Sequence, residues 1–183
     1  METTIHEAKP EIIMSQSSPH LVACLVENHP GVLARISGMF AARGYNIESL
    51  AVGTTHDPKT SRITIAVPGE DNIIRQIINQ LAKMAEVIHV EDLSEEDHVD
   101  RELMLVKVSC AKEMRSEVMQ ICDIFRARIV DVHHDCLVIE ISGTLGKNAA
   151  LIELFSPFGI IEMTRTGRIA LHRGTRRMTI PDA

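Results

Sequence analysis

The segment Asn28-His29-Pro30-Gly31-Val32-Leu33 carries the clearest chemical signal in the chain. An uninterrupted apolar run, residues 21–26, precedes it and is typical of a buried strand, while a helical apolar pattern starts at Val32. The segment is therefore predicted to turn from a strand into a helix. The first turn of a helix presents unpaired backbone N–H groups and a partial positive charge, which suits a carboxylate. Gly31 would let such a ligand approach the backbone closely.

Two asparagines could complete a site for a free amino acid. Asn28 and Asn46 each donate and accept hydrogen bonds, and so suit a zwitterion that presents both a carboxylate and an ammonium group. The alternative is that Asn28 and Gly31 only shape the turn. The chemistry of these residues alone supports the two interpretations about equally.

The other motifs give weaker indications of a binding or catalytic site. Gly143-Thr144-Leu145-Gly146-Lys147 departs from the spacing of a phosphate-binding loop and predicts a strand-to-helix turn. His133-His134-Asp135-Cys136 contains metal-ligand residue types, but neighbouring strand residues point to opposite faces, so at most His134 and Cys136 could share one ion. Neither paired carboxylates in an acid–base context nor a nucleophile elbow occurs. We expect no metal site and no catalysis by this chain alone.

Composition limits the possible partners. The 183 residues carry a net charge of −6 and only 3% aromatic residues, which argues against nucleic-acid binding. The C-terminus is nevertheless basic, and we expect a solvated tail or a docking strip for an acidic partner; its arginines are Arg165, Arg168, Arg173, Arg176 and Arg177.

The longest apolar run is too short to span a membrane, and we expect a cytoplasmic protein.

Cysteine usage fits a reduced compartment. Cys24, Cys110, Cys122 and Cys136 form no C-x-x-C pair, and each lies in an apolar stretch. A free cysteine in such a stretch behaves as a small apolar residue.

Hydrophobic periodicity predicts four amphipathic helices and eight short strands in the order βαββαβ, repeated once. Ile36 matches Val118 at an offset of 82 residues, whereas Val87 matches Ile160 at an offset of 73. The second unit is therefore nine residues shorter, and the hairpin loop is the expected place of the loss. The predicted fold class is α+β, with two tandem ferredoxin-like units.

The predicted organisation has five parts. A polar N-terminal arm (1–19) precedes the first unit (20–94), and an acidic, solvated linker (95–102) joins it to the second unit (103–178), which a short tail (179–183) follows. A four-stranded sheet with helices on one face leaves its other face bare. Because such small units are marginal alone, we expect the sister unit or another chain to cover these faces, most simply in a homodimer.

The sequence resembles a known family at these residues. Asn28-x-x-Gly31-Val32-Leu33, followed by Arg43-Gly44-Tyr45-Asn46-Ile47-Glu48-Ser49-Leu50, closely resembles the regulatory small subunit of acetohydroxyacid synthase, also called acetolactate synthase. Residues 101–108, 123–126, 165–167 and 173–174 also agree with that family, and the resemblance covers residues 20–178 in unbroken order.

The resemblance implies an ACT domain in the first unit and a related ACT-like domain in the second. It implies a non-catalytic subunit that binds and activates a catalytic large subunit in branched-chain amino acid biosynthesis. The large subunit holds thiamine diphosphate, Mg²⁺ and FAD, and it condenses two pyruvates, or pyruvate and 2-oxobutyrate. No cofactor is expected in this chain.

The resemblance also implies feedback inhibition by L-valine, bound between the ACT domains of two chains. By motif, Asn28 and Asn46 would hydrogen-bond the amino acid, and the backbone of Gly31, Val32 and Leu33 would receive its carboxylate. Ile47 would line the apolar pocket. The alternative function is a stand-alone amino-acid-sensing ACT protein that regulates another enzyme or transcription.

Overall fold

The computed structural model describes residues 19–178 as two α+β domains. The expected N-terminal arm, apart from Pro19, and the expected tail lie outside the described residues. The N-terminal domain forms an antiparallel sheet of order β2-β3-β1-β4, with both helices on one face. Its elements are β1 (His20–Glu27), α1 (Val32–Ala42), β2 (Ser49–Thr54), β3 (Thr60–Val67), α2 (Asp71–Leu81) and β4 (Val87–Asp92).

The C-terminal domain repeats this topology with the sheet order β6-β7-β5-β8. Its elements are β5 (His98–Ser109), α3 (Arg115–Phe125), β6 (Arg128–Val132), β7 (Cys136–Gly143), α4 (Leu145–Phe155), β8 (Ile160–Arg165) and β9 (Ile169–His172). The repeated βαββαβ order predicted from hydrophobic periodicity is confirmed. The ninth strand was not predicted, because its four residues are too short to show a period.

Each domain packs its helices on one sheet face around an aliphatic core. Phe40 and Ile36 of α1 meet Ile63 and Ile65 of β3 in the first domain. In the second domain, Cys122 and Val118 of α3 take the matching places, and Phe155 of α4 packs in the same core. The predicted turn at Gly143-Thr144 is also found: the Thr144 hydroxyl accepts a hydrogen bond from the Lys147 N–H and caps α4.

The other face of the N-terminal sheet is covered by a two-stranded ribbon. β9 pairs antiparallel with the first residues of β5, and Ala170 packs between the domains on a second cluster of buried residues, Leu21, Ala23, Ala66 and Leu93. Residues of β1 are therefore buried on both faces, as the apolar run predicted. Small side chains on this sheet face let the ribbon approach closely.

The acidic segment differs from the expected solvated linker. Residues 98–102 belong to β5, and Glu102 is 4% exposed. The reason is long-range pairing: β9 and the arginines near it supply hydrogen bonds and positive charge, which a local charge pattern cannot reveal.

The shortening of the second domain is also distributed differently from expectation. The hairpin between β6 and β7 spans residues 133–135, against 55–59 in the first domain. The largest loss lies between helix and strand, where residues 126–127 replace residues 43–48. The second domain consequently has no counterpart of the loop that carries Asn46.

The cysteines behave as small apolar residues. Cys24, Cys110 and Cys122 are buried and Cys136 is half-buried, all as free thiols. Within the described residues, we find neither a helix that could cross a bilayer nor a cluster of three or more side chains able to hold a metal ion.

Candidate functional site

Asn28 holds the turn between β1 and α1 against the hairpin loop of β2 and β3. Its backbone N–H donates to the Lys59 carbonyl at 2.7 Å, and its side-chain Nδ2 donates to the Pro58 carbonyl at 2.8 Å. The residue is exposed, and within the described residues its side chain hydrogen-bonds through Nδ2 to Pro58 alone. Asn28 therefore does shape the turn, and it still offers an acceptor to a ligand.

The hairpin loop that Asn28 contacts is itself fixed by Asp57. The Asp57 carboxylate accepts hydrogen bonds from the Lys59 N–H at 3.0 Å and from the Thr60 hydroxyl at 3.1 Å. The Lys59 N–H bond is the main reason that the pKa of Asp57 lies below its usual value. The loop thus presents the Pro58 carbonyl to Asn28 in a defined position.

Gly31 begins helix α1 in a conformation that favours glycine. Its φ is +94°, and a Cβ atom placed there would meet nothing within 4 Å. Among the described residues, no side chain caps this helix, and its first turn contains no acidic residue. The helix start is thus an open set of backbone donors with a partial positive charge, as the sequence predicted.

The two residues after Gly31 contribute differently to this site. The Val32 side chain is buried in the core at 4% exposure, so only its backbone is available to a ligand. Leu33 is 43% exposed and presents an apolar side chain beside the helix start. Arg35, one turn further along, forms an ion pair with Glu86.

The second half of the predicted site lies in the loop between α1 and β2. Gly44, at φ +68°, ends the helix, and Tyr45 packs edge-on against Phe40 with ring centroids 6.1 Å apart. This anchor leaves Asn46 exposed, while Ile47 is half-buried against the core. The loop therefore offers one free amide and one apolar wall.

A single chain does not bring these two halves together. The Asn28 N–H pairs with Lys59 at one end of β3, and the Glu48 N–H pairs with Ala66 at the other. Seven residues of strand separate these points, which is about 23 Å. Helix α1, at 11 residues, sets Gly31 and the loop about 16 Å apart. One amino acid cannot contact both Asn28 and Asn46 of the same chain.

Comparison with known proteins decides the family. Residues 22–89 match a family described as the AHAS small subunit-like ACT domain, and residues 101–174 match the small subunit of acetolactate synthase. The chain belongs to the acetolactate synthase small-subunit family. The resemblance inferred from the motifs is thereby confirmed, as is the tandem ACT-like fold.

Individual small subunits are similar to this chain over most of their length. A probable acetolactate synthase small subunit of Archaeoglobus fulgidus is 48% identical over 86% of this chain and 99% of its own. That of Aquifex aeolicus is 45% identical over 92% of this chain and 88% of its own. The crystal structure of the small subunit of Thermotoga maritima superimposes with a TM-score of 0.79 at 39% identity, covering 87% of this chain and all of that one.

Sequence reasoning missed the contact between the Asn46 loop and the second domain of this small subunit. The Arg168 N–H donates to the Ser49 hydroxyl at 3.4 Å, just after the loop. Gly167, at φ +80°, approaches so closely that a Cβ there would lie 3.3 Å from Ser49 Cβ. The sequence identifies the Arg165-Thr166-Gly167 motif only as a family feature, because nothing in the neighbouring residues indicates that it meets residue 49.

Proposed function

We propose that this small subunit binds and activates the catalytic subunit of acetolactate synthase and makes it sensitive to L-valine. In this proposal the catalytic partner holds thiamine diphosphate, Mg²⁺ and FAD and performs the condensation that begins branched-chain amino acid synthesis. The present chain senses the end product.

The separation of Asn28 from Asn46 is the observation that carries the proposal. Each half of the site is solvent-facing and chemically suited to one part of an amino acid, yet the halves lie at opposite ends of α1. A second copy, related by a twofold axis and with its α1 antiparallel, places Asn46 of one copy beside Gly31 of the other. The site is then complete only in a dimer.

The free edge of β2 supports the same arrangement. β2 lies at the end of the sheet, and within residues 19–178 it pairs only with β3. Its sequence, Ser-Leu-Ala-Val-Gly-Thr, contains neither a charge nor a proline that would block pairing with another chain. Since α1 connects β1 to β2 across β3, it lies on the β2 side of the sheet, and pairing through this edge would set the two copies of α1 side by side.

Valine fits the chemistry of the composite site. The open start of α1 would receive the carboxylate, Asn28 and Asn46 would bond the polar groups, and Leu33 with Ile47 would surround the aliphatic side chain. Valine bound between two copies would alter how their N-terminal domains pack. The contact of Gly167 and Arg168 with Ser49 would transmit that change to the second domain.

The test is reconstitution with the catalytic subunit, together with calorimetric titration of the free chain. L-valine is the ligand and D-valine the control. Stereospecific heat, together with activation of the catalytic subunit and its inhibition by L-valine, would support the whole proposal. A chain that leaves the activity of the catalytic subunit unchanged would contradict the regulatory role, whereas activation without any response to valine would contradict only the feedback role.

A further inference from the structure

A cavity of about 450 Å³ lies between the two domains, on the sheet face opposite α1. Ala51, Gly53 and Thr64 line it from the N-terminal sheet, and Val99, Ile169 and Leu171 line it from the β5–β9 ribbon. Ala51 pairs with Thr64, and Val52 pairs with Ile63 of the helix-side core. Because strand residues alternate between faces, Ala51 and α1 lie on opposite sides of the sheet. The cavity is therefore separate from the proposed valine site.

The charged side chains that line this cavity are both arginines, Arg62 and Arg101. Arg62 Nη2 donates to the Ala170 carbonyl at 2.9 Å, while its Nε is buried without a hydrogen-bond partner among the described residues. Among the described residues, no carboxylate oxygen lies within 4 Å of an Arg62 nitrogen, so Arg62 forms no ion pair there. Glu91 is near enough to stabilise the positive charge of Arg62, but its Oε1 atom lies within hydrogen-bond distance of His172 Nε2, at 2.6 Å.

This guanidinium is in an unfavourable position unless an anion joins it. Burial lowers the pKa of Arg62, yet an arginine in a protein keeps its charge. A half-buried cation beside an apolar cavity has lost hydration without gaining an equivalent partner. A carboxylate in the cavity would supply the opposite charge that this guanidinium lacks.

We propose that the cavity binds a small organic carboxylate that has an aliphatic body and lacks an ammonium group. The volume lies at the lower end of the range of about 300–1,000 Å³ for small-molecule sites. The half-buried Val99 and the exposed side chains of Ile169 and Leu171 provide apolar surface for the body, and the charge of Arg62 binds the carboxylate. The described lining contains no carboxylate to pair with an ammonium, so the site selects against free amino acids.

The experiment is an NMR titration of the full chain with 4-methylpentanoate. The Arg62 Nε–H resonance and the methyl groups of Val99, Ile169 and Leu171 report on the site. We expect a saturable shift of all four residues at ligand concentrations on the order of 1 to 10 mM. L-leucine, which adds only an ammonium group, and 4-methylpentan-1-ol, which lacks the charge, are the matched ligands, and both are expected to leave these resonances in place.

Variants assign the shift to Arg62. Arg62→Gln is expected to weaken binding of 4-methylpentanoate about tenfold or more, because a charge-assisted hydrogen bond is lost. Arg115→Gln is the matched control, since Arg115 also donates to backbone carbonyls, at His133 and His134, and also has a buried Nε without a described partner, but lines no part of this cavity. It is expected to bind like the wild type.

A second variant separates binding from domain packing. If Arg62→Gln also shifts the Ala170 methyl resonance, the ribbon has moved, and Ala51→Leu then decides, because it fills the cavity and leaves Arg62 in place. Loss of the 4-methylpentanoate shift in Ala51→Leu supports the site. An unchanged shift in Ala51→Leu, no saturable shift in the wild type, or equal shifts from the acid and the alcohol would overturn the proposal.

Discussion

Arg168 donates two hydrogen bonds to Asp100 Oδ2, from Nε at 3.0 Å and from Nη2 at 2.8 Å, and the side chains are only 11% and 16% exposed. The pair joins β5 to the residue just before β9. Further ion pairs continue the same pattern on both sides, namely Arg165–Glu102, Arg173–Asp97 and Arg176–Glu96. The acidic segment was expected to be solvated, and the basic C-terminus to be a solvated tail or a docking strip for an acidic partner. The two segments are instead paired with one another within the chain.

Breaking the Arg168–Asp100 pair should destabilise the chain. Arg168→Ala leaves the half-buried Asp100 without its partner, and we expect a loss of about 2 to 3 kcal/mol in the free energy of unfolding, measured by urea titration. Arg173→Ala is the control, because its partner Asp97 is 83% exposed, and its expected cost is below about 1 kcal/mol. Equal losses in the two variants would show that burial of the pair is unimportant.

Two substitutions of Gly31 should distinguish the effect of charge from the effect of side-chain size where the valine carboxylate is proposed to bind. Gly31→Asp is expected to abolish inhibition by L-valine, because it places a negative charge at the open start of α1. Gly31→Asn is nearly the same size, and both side chains tolerate positive φ better than most residues. We expect Asn to retain most of the valine affinity in calorimetric titration. If Asn abolishes binding as completely as Asp, the added side chain or the altered backbone conformation is responsible, and not the charge.

Asn28→Ala should reduce valine affinity more than it reduces activation of the catalytic subunit. The substitution removes the donor to the Pro58 carbonyl, an exposed hydrogen bond whose loss costs about 1 kcal/mol. Asn28→Asp also removes the donor, and it adds a negative charge near the open start of α1, so it should weaken valine binding further than Asn28→Ala. Parallel titrations of valine binding and of activation distinguish the roles, since equal loss of both would identify Asn28 as a folding residue.

Gly167→Ala should loosen the contact between the Asn46 loop and the second domain. A Cβ at this position would lie 3.3 Å from Ser49 Cβ and 3.4 Å from the Leu50 nitrogen, at a φ of +80°. We expect a loss of valine inhibition at unchanged valine affinity, seen by comparing calorimetry with the inhibition curve. Gly174→Ala is the control, because it has a similar φ of +68° and open space around it. A normal inhibition curve for Gly167→Ala would remove this contact from the proposed transmission.

The cysteines should differ in how fast a thiol-alkylating reagent modifies them. Burial raises the pKa of Cys24 to about 12 and that of Cys122 to about 11, so both thiols stay protonated at pH 8 and do not act as nucleophiles. Iodoacetamide applied to the native chain at pH 8 should therefore modify the half-buried Cys136 first, as read by peptide mass spectrometry. Rapid modification of Cys24 would show that β1 opens under native conditions.

The sequence by itself determined the local elements and their repetition. Apolar periodicity, the proline and glycine of the β1–α1 turn, and the glycine after α1 act within a few residues, so the helices, eight of the nine strands and the open helix start at Gly31 could be predicted. The motif around Asn28 and Asn46 also sufficed to recognise the family.

Only the tertiary structure decided how these parts meet. It placed Asn28 and Asn46 at opposite ends of β3, paired Arg168 with Asp100, and left Arg62 facing a cavity between the domains. Each of these relationships joins residues far apart in the chain through strand register and domain packing. Free energies of burial and charge pairing depend on that three-dimensional neighbourhood, which a one-dimensional pattern of apolar and charged residues does not contain.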